Sequence, residues 1–69
     1  MKTADLAQDL GFETEETRDM YGTQVHAFAQ RESDLIALRD LLRAEPGVKT
    51  EILYLGYDFD RHCPSLRIA

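Results

Sequence analysis

Sixty-nine residues, 43% hydrophobic and 30% charged, make one small domain over 1–69; a chain this short buries only about 60% of the surface its unfolded form exposes, which argues against a large enclosed active site. Eight Lys and Arg stand against 13 Asp and Glu, for a formal charge of −5, a balance that repels phosphates and favours basic partners. No apolar run approaches the roughly 18 residues that cross a bilayer, and the acidic start of the chain is unlike a leader peptide's positive end and apolar centre, so the expected setting is cytoplasmic and away from membranes.

The charge is uneven along the chain. Residues 1–20 hold Asp5, Asp9, Glu13, Glu15, Glu16 and Asp19 against Lys2 and Arg18, whereas the acids and bases of residues 41–69 balance.

From Thr3 to Leu10 a capping Thr, Asp5 in the first turn, and Leu6 with Leu10 at the four-residue spacing predict a short helix stopped by Gly11. Residues 12–22 admit two readings. One is a polar edge strand turning at Asp19 to Gly22. The other is a second short helix capped by Thr14, with Glu15 and Glu16 at its positive end. The strand is favoured because the next segment needs a pairing partner. Thr23 to Ala29 alternates, with Val25, Ala27 and Ala29 on one side and Gln24, His26 and Phe28 on the other, the period of a strand.

A longer helix is expected from Ser33, as N-cap, to Ala44, ended by Pro46 and Gly47. At about 100° per residue, Leu35, Ala37, Leu38, Leu41, Leu42 and Ala44 share the core half, and Ile36 falls among Arg39, Asp40 and Arg43. Val48 to Phe59 is rich in β-branched and aromatic residues and predicts a long central strand, with Leu53, Leu55, Tyr57 and Phe59 on one face and a bulge or close approach at Gly56. A turn through Asp60 to Pro64 leads to a short final strand, Ser65 to Ile68. The result is an α+β fold: a small, mostly antiparallel sheet with one long helix packed on one face, preceded by a short N-terminal helix.

Asp5 to Thr17 resembles the core of a helix-turn-helix, with Leu6, Ala7 and Leu10 on the first helix, Gly11 in the turn, Phe12 as its buried residue and Thr17 on the second helix. The resemblance departs where function would reside. A recognition helix needs Arg, Lys, Asn or Gln, and Glu13, Glu15, Glu16 and Asp19 stand there instead. Direct nucleic-acid binding is therefore not expected.

Asp58, Asp60, His62 and Cys63 carry metal-ligating groups, but neighbouring residues on a strand project oppositely and no second Cys completes a soft site. Cys63 with His62 or His26 lacks the third orienting group and the oxyanion site that a thiol nucleophile requires. No phosphate-cradling loop or dinucleotide fingerprint occurs. The expectation is a protein without catalysis, metal or cofactor.

The remaining candidate is a contact surface. Tyr21, Tyr54, Tyr57, Phe28 and Ile36 exceed what a minimal core needs, and Tyr suits interfaces through its apolar body and polar tip. With the carboxylates Asp5, Asp9, Glu13, Glu15, Glu16 and Asp19 binding a partner's Lys and Arg, and Ile36, Tyr21 and Tyr57 as anchors, the chain reads as a small acidic inhibitor of a basic nucleic-acid-handling protein or ribonucleoprotein complex. Phages and mobile elements encode inhibitors of this type, anti-CRISPR proteins among them. The alternative is a homodimeric structural or regulatory module, in which the lone Cys63 could form an intermolecular disulfide.

Overall fold

The structure, a computed structural model, describes residues 3–69; Met1 and Lys2, part of the leader-peptide reading, lie outside them. Helix α1 (Thr3–Asp9) is closed by Gly11. The Phe12 amide donates to the Ala7 carbonyl and the Gly11 amide to the Gln8 carbonyl, each at 3.0 Å, while Gly11 takes φ of 91°. These are the two bonds and the left-handed residue of a Schellman cap. Thr3 does not cap the helix; its hydroxyl donates to the Ile68 carbonyl at 2.7 Å and ties the first turn to the end of the chain.

Strands β1 (Glu13–Asp19) and β2 (Gly22–Phe28) form an antiparallel hairpin paired from Glu13↔Phe28 to Asp19↔Gly22. The strand reading of residues 12–22 is right, and the second helix of the helix-turn-helix resemblance does not exist. The segment Glu-Thr-Glu-Glu-Thr has no apolar stripe at helical spacing to bury, whereas β2 offers it a full row of backbone partners. The Asp19 carboxylate accepts the Tyr21 amide at 2.8 Å, and Gly22, with φ of 120°, completes the turn.

Helix α2 (Glu32–Ala44) begins before Ser33. Arg31 holds the cap position without a side-chain cap bond, so Ser33 lies inside the first turn and is not the N-cap. Leu35, Leu38 and Leu42 are fully buried, as expected. The rest of the apolar face is turned: Leu41 is 53% exposed, Ala37 and Ala44 are exposed, and Ile36 and Arg39 are half-buried. α2 packs on the strand that carries Leu66. Between Leu41 and Leu10, at the end of the short α1, an apolar groove stays open.

The long central strand expected over 48–59 is not formed. Thr50–Ile52 makes a single 3-10 turn, and β3 covers only Tyr54–Asp58 at the sheet edge. The inner strand is β4 (Cys63–Arg67), in the order β1-β2-β4-β3 with every neighbour antiparallel. The exchange of centre and edge is topological. α2 carries the chain across so that β2 and β3 run parallel, and β4 returns by a hairpin into the gap between them. Ile68 and Ala69 extend the pairing, the Ile68 amide donating to the Val25 carbonyl at 2.8 Å. Pro64 lies in β4 and not in the turn, one residue past the Phe28↔Ser65 pair that ends the β2 pairing. Gly56 forms no bulge; it sits in register opposite Ser65, with the Tyr54 ring lying close over it.

The architecture is the α+β one expected, a four-stranded antiparallel sheet with two helices. One face carries Val25, Ala27, Leu55, Leu66 and Ile68 against Ala7, Leu35, Leu38 and Leu42. Strand alternation sends Glu13, Glu15, His26, Phe28, Ser65 and Arg67 to the opposite face, which no helix covers.

Candidate interaction surface

α1 packs against β1, so its exposed Asp5 and Asp9 share one flank of the molecule with the carboxylates of β1. Alternation then divides those carboxylates. Glu16, opposite Val25, points to the helix side, near Val48 and Lys49; Glu13 and Glu15 point to the uncovered face. Asp19 and Tyr21 stand at the hairpin tip, where Tyr21 is 89% exposed beside an equally exposed Met20.

The proposed anchors do not gather around this flank. Ile36 lies half-buried on α2 rather than on the solvent side. Tyr57 belongs to β3, at the opposite sheet edge, edge-on to Phe59 with ring centroids 5.1 Å apart. Tyr54 is exposed on the same strand. Phe28 is buried and contributes no free aromatic surface.

Arg61 is what covers Phe28, and sequence reasoning missed it. The β3–β4 turn aims its side chain back across the sheet, where the Asp58 carboxylate accepts the amides of Asp60 and Arg61 at 2.9 Å each and His62 adopts φ of 54°. The guanidinium carbon sits 4.1 Å from the Phe28 ring centroid. Arg61 Nη2 donates to Glu15 Oε2 at 2.8 Å, and Nη1 lies 3.2 Å from Glu13 Oε1. The bond to Glu15 is the main influence holding the Arg61 pKa above its ordinary value; desolvation opposes it and Glu13 adds to it. The partners of the stronger contact are 46 residues apart in sequence. The only local signal was the alternation that places Glu13 and Glu15 on one face.

Arg61 thus neutralises two of the six flank acids. Among the described residues Asp5, Asp9, Glu16 and Asp19 form no ion pair with a basic side chain. Beside the Arg61 strap lies a shallow open depression of about 570 Å³, lined by Thr17, His26, Tyr57 and Ser65 among others.

Cys63 is buried opposite Asp58 in the β3–β4 ladder, and His62 beside it is exposed. A disulfide to a second chain would first require this buried thiol to be uncovered. Asp58 Oδ1 is engaged by two backbone amides, and among the described residues no three His, Cys, Asp or Glu side chains converge to hold a metal ion. No helix among the described residues is long and apolar enough to cross a membrane. Comparisons with family models, with curated proteins and with solved structures return no match.

Proposed function

We propose that this chain is a non-enzymatic binding protein whose α1–β1 flank engages the cationic surface of a nucleic-acid-handling protein or ribonucleoprotein complex and inhibits it. The observation that carries this reading is the set of exposed flank carboxylates, Asp5, Asp9 and Glu16, left without ion-pair partners among the described residues. Such carboxylates engage Lys and Arg that otherwise hold phosphates, which makes the interaction competitive with nucleic acid. An inhibitor of anti-CRISPR type works within this chemistry without catalysis, cofactor or metal.

The test is affinity capture from nuclease-treated bacterial lysate, with the retained protein then titrated in purified form. Binding to a basic partner should weaken as salt rises, and added nucleic acid should displace the chain. Charge reversal of Asp5, Asp9 and Glu16 to Lys should lower the affinity by at least about tenfold. Glu13 and Glu15 are unsuitable first targets, because reversing them also breaks the Arg61 strap. Affinity unchanged by both salt and charge reversal overturns the electrostatic mechanism.

A further inference from the structure

The two edges of the sheet differ in chemistry. β1 is guarded by charge: Glu13, Glu15, Glu16 and Asp19 lie within one strand. A second β1 laid antiparallel along it about its middle residue would set Glu16 against Glu16 and Glu13 against Asp19. Like charges directly opposed across a strand pair are destabilising, and charge of this kind is how proteins keep edge strands from pairing.

β3 at the other edge has no such guard. Its only charged residue is Asp58, and Tyr54, Tyr57 and the following Phe59 are exposed, Phe59 by 78%. Among the described residues its backbone pairs with β4 and with no other strand. α1 packs on β1 and β2 and α2 on β4, so neither helix packs substantially over the β3 side of the sheet.

We infer that β3 is a self-association edge that pairs antiparallel with β3 of a second copy about a two-fold axis at Gly56, joining two sheets into one of eight strands. The sequence is self-complementary in this register. Leu55 opposes Tyr57 of the second copy and Leu53 opposes Phe59, two apolar pairs on the helix side, each occurring twice by symmetry. On the other face Tyr54 opposes Asp58, whose carboxylate can accept the phenol hydroxyl, and no like charges meet. Gly56 opposes Gly56, so the residues at the axis bring no side chain of their own between the strands. The Tyr57–Phe59 pair, left exposed on the single chain, is covered in the dimer by the leucines of the other copy. This association involves neither the acidic flank nor Cys63.

Sedimentation equilibrium from micromolar to millimolar protein, with reductant present, tests the inference. A monomer–dimer equilibrium is expected. Tyr57→Lys should weaken it by at least about tenfold, with the monomer's circular dichroism and melting curve preserved, and Thr17→Lys on β1 should leave it unchanged. If Tyr57→Lys does not fold, Tyr54→Glu at the more exposed position of the same edge, which sets Glu against Asp58 of the second copy, replaces it. In a mixture of labelled and unlabelled chains, filtered NMR should show Gly56 α-proton contacts between copies. A chain that stays monomeric at millimolar concentration, a dimer indifferent to both variants, or inter-chain contacts confined to elements other than β3 would overturn the inference.

Discussion

Gly11 holds φ of 91° with open space where a β-carbon would sit, so a substitution there meets a backbone penalty and no steric clash. Gly11→Ala should therefore destabilise the fold by about 1–2 kcal/mol, the cost of a left-handed L-residue. Urea unfolding monitored by circular dichroism measures it, and an unchanged midpoint would mean that the helix ends by another route. Arg61 works by charge and by packing together, with Glu13 and Glu15 on its edge and the Phe28 ring beneath. Arg61→Met keeps a flexible apolar chain over Phe28 and removes the charge, so its melting temperature should fall below wild type at low salt and the gap should narrow as salt is added. The raised Arg61 pKa contributes stability that is fully present below the ordinary arginine value and is lost only as pH climbs beyond it. From the arginine's side, the strap stays intact throughout the neutral range.

At the scale of elements, α2 departs most instructively from helical periodicity. Its three core leucines were legible because a 3.6-residue period marks one stripe, but the width and centre of the buried arc depend on what the helix rests against. Leu38→Ala should cost about 2–5 kcal/mol, the range for a fully buried leucine, whereas Leu41→Ser should stay within about 0.5 kcal/mol. Comparable losses at both positions would contradict the observed rotation of the helix. Ser33→Ala offers a second check. A true N-cap serine costs about 1 kcal/mol on removal, but Ser33 lies inside the first turn, so its replacement should change the chemical-denaturation midpoint little. The β1–β2 hairpin was legible because alternation and the Asp19-to-Gly22 turn signal agree. The expected strand over 48–59 failed because apolar content does not separate an inner strand from an edge strand followed by a hairpin, and neither content nor period foresees the 3-10 turn at Thr50–Ile52.

At the scale of the whole molecule, the chain closes on itself through its last residues. Ile68 is fully buried, its amide donates to Val25 and its carbonyl accepts the Thr3 hydroxyl. Removing Ile68 and Ala69 deletes a core side chain and both of these ties, and in a domain this small the truncated chain should be largely unfolded at room temperature, visible as collapsed amide dispersion in NMR. Sequence by itself determined the α+β class, the excess of acid in the first 20 residues, both helices, the hairpin and which residues of β2 face the core, because each follows from local periodicity, turn chemistry or composition. Tertiary structure alone decided that β4 lies inside the sheet and β3 at its edge, that α2 turns Leu41 outward, and that Arg61 straps Glu13 and Glu15 over Phe28. The physical reason is common to all three: strand order, helix rotation and long-range ion pairing are set by contacts between segments distant in the chain, and no local period records which segments meet.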